Sequence, residues 1–147
     1  TSGWAWHPKL QRAVVTLWVA EDGALDSGKL KTWLTGMAAT DTPLSIVIAA
    51  PVQRSLSLSV VVDAAHPTEE TLAAVRTTLS DPMAGLLAVR RVHIGGVLYR
   101  SAIVKAVQTT PGVASVPSVL LDGAEMDWAV KSAAGTYADF TDNITVT

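Results

Sequence analysis

The stretch Ser55–Val62, SLSLSVVV, is the feature that most constrains the fold of this chain. Leu56, Leu58, Val60 and Val62 fall on one face of a strand, and Ser55, Ser57, Ser59 and Val61 on the other. Successive strand side chains point to opposite faces, so this alternation predicts a sheet packed on one side and wetted on the other. That arrangement is typical of antiparallel sheets; parallel sheets are buried on both faces.

The residues that follow predict what packs on such a sheet. Thr68–Leu79, TEETLAAVRTTL, reads as a helix with Thr68 as its cap and Glu69 and Glu70 in the electropositive first turn. Leu72, Val75 and Leu79 form its buried stripe. Asp81–Pro82 breaks it, and Met83, Leu86 and Leu87 are expected in a short helical continuation. A strand is expected over Val89–Ile94, with a turn at Gly95–Gly96. Tyr99, Ile103 and Val107, with Ala102 and Ala106 filling in, make the core stripe of the next helix. Thr110–Pro111–Gly112 ends it, because the residue before proline disfavours the helical region and glycine takes up the turn. Val113–Gly123 and Ala124–Lys131 are expected to form a hairpin across Asp122–Gly123, a favoured hairpin pair. Met126, Trp128 and Val130 alternate on its second arm. The tail Gly135–Thr147 is polar and β-prone, an edge strand or a coupling segment.

Upstream, Ala13–Ala20 is a strand rich in β-branched residues, bounded by the turn-like Glu21–Asp22–Gly23. Leu30, Trp33, Leu34 and Met37 recur at i, i+3, i+4 and i+7, one core-facing side of a helix capped by Asp26 or Ser27. Gly36 weakens that helix and Asp41–Thr42–Pro43 ends it. Leu44–Ala50 is a short, continuously apolar strand, which completes a βαβ unit with an expected right-handed crossover. The expected fold class is α+β: two small packed α/β lobes with mostly antiparallel sheet. The first lobe is βαβ-type and the second ferredoxin-like or related. Residues 1–12 are an irregular leading segment, 13–51 the βαβ lobe and 52–147 the second lobe, with Pro51 at the passage between them. There is no internal repeat.

Composition excludes several function classes. The formal net charge of −2 leaves no electrostatic footprint for nucleic acid or an anionic membrane. The longest apolar runs fall far short of the roughly 20 residues that a membrane-spanning helix takes. Without cysteine there are no disulfides, no thiolate-ligated zinc and no thiol nucleophile, which fits a cytosolic protein. Charged residues make up 16% and apolar residues 49%, against roughly 25% charged in an average soluble domain. A domain of 147 residues has much surface for its volume, so some of that apolar excess is expected to be covered by neighbouring subunits.

No residue pattern points to catalysis, a cofactor or a metal. His7, His66 and His93 lie far apart, and none has the spacing of a helical metal face. His7 and His66 precede prolines in expected loops, and His93 lies beside Arg90 and Arg91 in an expected strand. Ser101 has no local base and is expected to cap a helix, and no serine sits in a nucleophile elbow. Gly95–Gly96 is not a phosphate-cradling fingerprint. Asp122, Glu125 and Asp127 miss calcium-loop spacing and read as hairpin charges. Five tryptophans in a chain with one phenylalanine are the compositional oddity. Trp18 and Trp33 are expected in the core. Trp4 and Trp6, with Phe140, are the candidate interface residues.

Five segments taken in order carry a resemblance. They are Val14–Leu34, Pro43–Asp63, TEETLAAVRTTL, Ile94–Val116 (IGGVLYRSAIVKAVQTTPGVASV) and Ala134–Thr147 (AGTYADFTDNITVT). Together they resemble the C-terminal half of baseplate J-like proteins, wedge components of contractile phage tails and related injection machines. The helix–strand unit matches at Gly96, Leu98, Tyr99, Ser101, Ile103, Pro111, Gly112, Val113 and Val116. Of these, Gly96, Tyr99, Pro111, Gly112 and Val113 are read as fold-setting positions. The resemblance implies a non-enzymatic structural subunit without cofactors. Its partners would be other baseplate or tail proteins, in several copies around a sixfold assembly, with neither nucleic acid nor membrane insertion. Its place would be the host cytoplasm during assembly and then the virion. Family chains are usually longer, so an N-terminal portion is expected to be missing. The competing expectation is a small-molecule-binding regulatory α+β module, with a pocket between lobes and convergent polar groups.

Overall fold

The computed structural model describes residues 1–9, 12–20, 26–37 and 43–147. Its first unit begins with β1 (Ser2–His7) and β2 (Arg12–Val19), antiparallel along their length from Ser2 opposite Leu17 to His7 opposite Arg12. The leading segment is therefore not irregular: Ser2–His7 alternates like any strand and uses β2 as its template. α1 (Ser27–Met37) follows, and β3 (Leu44–Ile48) returns parallel to β2, so the βαβ unit is present, in a sheet ordered β1-β2-β3. Asp26 caps α1, its Oδ1 accepting from the N–H groups of Gly28 at 3.0 Å and Lys29 at 3.1 Å. The bounding turn at Glu21–Gly23 and the helix stop at Asp41–Thr42 lie outside the described residues. Among the described side chains of α1 only Leu30 and Leu34 are half-buried; Trp33, expected in the core, is 61% exposed, and Met37 is also exposed.

β4 (Ala50–Gln53) leads from this unit into the second. Among the described residues it pairs only with β10 (Thr136–Asp139), in parallel, with Pro51 opposite Tyr137. The N–H groups of Ala50 and Arg54 donate to the carbonyls of Gly135 and Asp139. Pro51, out of phase with them, has no N–H to lose, which is how an edge strand accepts a proline.

The main sheet is built on β5 (Leu56–Val62), β7 (Val113–Leu121), β8 (Ala124–Glu125) and β11 (Ile144–Val146), in the order β11-β5-β7-β8. Leu58 lies between Val119 and Val146, and Leu56 between Leu121 and Ile144, two apolar rows on one face. α2 (Thr68–Ser80) and α3 (Arg100–Gln108) supply Val75 and Leu79, and Ile103 and Val107, to the same core. Burying each such side chain stabilises the fold by about 1.5–3 kcal/mol. This is the expected α+β class. Both helices fall between β5 and β7 in the chain, separated by the short strand Val97–Tyr99. β7 carries two extra residues against β5, one on each side of Val61, and Pro117 sits in the first of these bulges, where a missing N–H costs little.

Several local expectations give way to packing. Thr68 is the first helical residue of α2 rather than its cap; the cap position is Pro67, and Thr71 ties the turn by donating from Oγ1 to the Pro67 carbonyl at 2.9 Å. Ser101 likewise lies inside α3, behind a cap at Tyr99, and the Arg100 N–H donates to the Trp128 carbonyl. Val89–Ile94 is not a strand. Asp81 Oδ1 accepts from the N–H groups of Met83 and Ala84 and turns the chain back on α2 without a further helix. The Ala88 carbonyl then accepts from both Arg91 and Val92, so this backbone spends its hydrogen bonds locally. The Asp122–Gly123 hairpin forms with both residues at positive φ, 52° and 81°. Its second arm stops at Glu125, however. Val130 belongs instead to β9 (Ala129–Lys131), which pairs with β6 (Val97–Tyr99). Phe140, expected at an interface, is 3% exposed and belongs to the core. The tail forms β10 and β11, and β11 is an edge strand of the main sheet.

Candidate interaction surfaces

The two units bury their side chains very unequally. The apolar core cluster is drawn entirely from Leu56 onwards. Among the described residues of β1, β2, α1 and β3, only Val14 and Thr16 are buried. The same unit exposes Trp4 (71%), Trp6 (62%), Trp33, Met37, Val47 and Ile48. Trp4, Trp6 and Ile48 fall on one face of the sheet and Val47 on the other, so the exposed apolar surface is divided between them.

β1 contributes the largest part of it. Thr1 and Trp18 exchange backbone hydrogen bonds in both directions, at 2.9 and 3.3 Å. In an antiparallel ladder such reciprocal pairs alternate along the strand. The N–H and C=O groups of Gly3 and Ala5 therefore face β2, and those of Ser2, Trp4 and Trp6 face outward. Trp18 turns to the other side of the sheet, where its ring lies over Gly3 and Gly135; a Cβ on Gly135 would come within 2.9 Å of its Nε1. This contact, with the Thr1 Oγ1 hydrogen bond to the Ile94 carbonyl, holds the first unit against the second. The reason lies in Gly135, which single-residue propensity does not reveal.

A second exposed patch joins Tyr99 and Trp128, whose ring centroids are 6.2 Å apart at 39°. Trp128 is 78% exposed and Tyr99 also faces solvent, so neither fills the core role expected of Tyr99. Arg100 anchors the patch by pairing with Glu125 and donating to the Met126 carbonyl. The pair was not legible beforehand, because it is made by elements 29 positions apart in the chain.

The residues read as fold-setting lie in two turns and at the ends of the elements beside them. Gly96 sits against His93 in the turn before β6, Tyr99 caps α3, and Pro111–Gly112 leads to Val113, the first residue of β7. Gly112 has φ +88°, and its carbonyl accepts from the Asp63 N–H at 2.8 Å.

Several carboxylates are held by hydrogen bonds within the fold. Asp122 Oδ1 accepts from the Ser55 N–H at 2.9 Å while Arg54 bonds Oδ2; the backbone bond first, then the arginine, hold its carboxyl below the usual range. Two backbone donors do the same for Asp81. At Asp139 partial burial pushes the carboxyl up, but donation by Thr141 and Gln53 outweighs it and the net shift is downward. Burial, then the neighbouring Asp139, pushes the Tyr137 hydroxyl up. Of the hairpin carboxylates, Asp122 and Glu125 are each taken by an arginine. Among the described residues no group of three potential ligands could hold a metal ion. His66 and His93 are exposed; His7 lies on β1, with its side chain outside what is described. No helix among the described residues is long and apolar enough to cross a membrane.

Two grooves of about 510 Å³ flank the loop after α2. One is lined by Leu86, Val92, Leu98, Tyr99 and Phe140 with Arg91 and His93 at its side. A shallower depression of about 540 Å³ lies where the units meet, between Trp18, Ile94 and Gly135.

In fold, the chain is similar to a chain of the cryo-EM structure of the anti-feeding prophage (AFP) baseplate, 6-fold symmetrised, with a TM-score of 0.54 and 18% identity. The match covers 84% of this chain and 29% of that one, so this chain spans under a third of its neighbour's length. No protein-family model and no curated protein matches the chain. At this level of identity the likeness is one of architecture: the chain has a baseplate-like fold.

Proposed function

We propose that the chain is a structural subunit of a phage or prophage contractile-tail baseplate, of the baseplate J-like kind, and that it acts by protein–protein assembly without catalysis. The observation that carries this reading is the first unit, which exposes two tryptophans on one strand while burying almost nothing of its own. A unit of that kind gains its stability from contacts made in an assembly. Support comes from the fold shared with a chain of a sixfold-symmetrised baseplate. On this reading the partners are other baseplate or tail proteins, in several copies around the sixfold axis. The chain passes from the host cytoplasm into the virion.

The test is physical fractionation. Contractile particles induced from the source cells are purified by density and the chain is sought by mass spectrometry and by antibody decoration in the microscope. The expected result is decoration at the baseplate end of the tail. Recovery of the chain only in the free protein fraction counts against the proposal. The groove beside Tyr99 supports one rival, a small-molecule-binding module; saturable stabilisation by a low-molecular-weight ligand in a thermal-shift screen would favour it.

A further inference from the structure

We propose that β1 is a self-pairing edge through which two copies of this chain join their three-stranded sheets antiparallel, with Trp4 opposite Trp4 of the second copy. The inference does not rest on the baseplate reading and stands without it.

Three observations lead there. First, β1 is the outer strand of its sheet among the described residues, and the outward backbone groups are those of Ser2, Trp4 and Trp6. An antiparallel two-fold centred on Trp4 pairs Trp4 with itself and Ser2 with Trp6, which uses all three outward residues in both copies. Shifting the centre by one residue in either direction loses part of this ladder. Second, the edge carries none of the devices that block pairing: Ser2–Trp6 contains no charge and no proline, and the strand is six residues long. A self-pairing edge must not repel itself, and Ser2–Trp6 brings no charged side chain opposite its own copy. Third, Trp4 and Trp6 lie on one face, so the pairing sets four indoles side by side, a cross-strand aromatic cluster.

The area decides what sort of dimer this is. An aromatic side chain buries about 150–250 Å², and these indoles are already about one-third covered. Four of them contribute roughly 400–650 Å², and with the strand edges the total approaches the roughly 1,200 Å² lower bound of stable interfaces. The dimer is reversible and dependent on concentration. It closes on itself, because a two-fold contact uses the same patch on both copies.

The test begins with light scattering of the chain over a hundredfold dilution. Its mass is expected to climb from 15.4 kDa towards twice that value. Trp4→Lys, which places like charges opposite one another, is expected to hold the mass at the monomer with unchanged far-ultraviolet circular dichroism. The register is read separately, using the absence of native cysteine. Opposed Cα atoms in a hydrogen-bonded pair lie about 5.5 Å apart, within reach of a disulfide. Trp6 of one copy lies about 14 Å from Trp6 of the other. Under mild oxidation Trp4→Cys should therefore cross-link at least tenfold faster than Trp6→Cys. A chain monomeric at every concentration overturns self-pairing. Equal cross-linking of the two cysteine variants overturns it as well.

Discussion

Gly112 and Gly123 offer a comparison in which one variable changes. Both hold the left-handed region, at φ +88° and +81°. A side chain there costs roughly 1–2 kcal/mol whatever surrounds it. At Gly123, in the hairpin turn, an added Cβ meets nothing within 4 Å. At Gly112 it would meet Thr71 Oγ1 at 2.8 Å and His66 Cβ and Cγ at 2.9 Å. Neither can give way cheaply. Thr71 is buried and hydrogen-bonded to Pro67, the His66 atoms are the stem of its side chain, and the Gly112 carbonyl is held by Asp63. Overpacking of this sort adds roughly 1–3 kcal/mol. Gly123→Ala should therefore lose about 1–2 kcal/mol and Gly112→Ala about 2–5 kcal/mol. Urea unfolding followed by circular dichroism reads both. With a slope of about 2 kcal/mol/M, the midpoint should fall by roughly 0.5–1 M for the first and 1–2.5 M for the second, at unchanged slope. Equal losses would refute the argument, since they leave only the backbone cost that the two sites share.

Three further outcomes follow from the same structure. Leu58→Ala, which empties a site between Val119 and Val146, should cost about 2–5 kcal/mol, whereas Trp33→Ala should stay within about 0.5 kcal/mol; thermal melts compare them, and a larger loss at Trp33 would show that its side is packed. Asp122 has a folded-state carboxyl below its unfolded value, so its contribution is complete above the unfolded value and disappears as the pH falls through the folded one. Stability should therefore decline on acidification below about pH 4, and Asp122→Asn should flatten that part of the profile in melts taken by pH; an unchanged profile rejects the assignment. Trp128→Ala removes the ring partner of Tyr99 at a cost of about 0.5–1.5 kcal/mol and should diminish the near-ultraviolet circular dichroism; an unaltered near-ultraviolet spectrum would mean the rings do not hold each other.

What could be read from the sequence is what neighbouring residues encode. The alternation of Leu56, Leu58, Val60 and Val62, the Asp26 cap and the Asp122–Gly123 turn each depend on a few adjacent residues, and all three appear in the fold. Val89–Ile94 has the composition of a strand, but β propensity needs a partner, and Ala88 captures this backbone in turns instead. The exposure of Trp33 and the burial of Phe140 are likewise decided at a distance. Phe140 is drawn inward because β10 and β11, on either side of it, pair with β4 and β5 more than eighty positions away. No local pattern in the tail announces that.

The distribution of burial also explains why the first unit is legible as a topology and not as a packing arrangement. Its β-strand, helix and β-strand are written in short apolar runs, which suffice to form hydrogen-bonded ladders. Helical periodicity, by contrast, identifies a core face only where a core exists to receive it. In the second unit it does: Val75, Leu79, Ile103 and Val107 all point where their spacing says. In the first unit Leu30, Trp33, Leu34 and Met37 have the same spacing, but only the leucines are half-covered. An apolar stripe left half outside, in the same unit as two exposed tryptophans on β1, is the surface that the proposed assembly would cover.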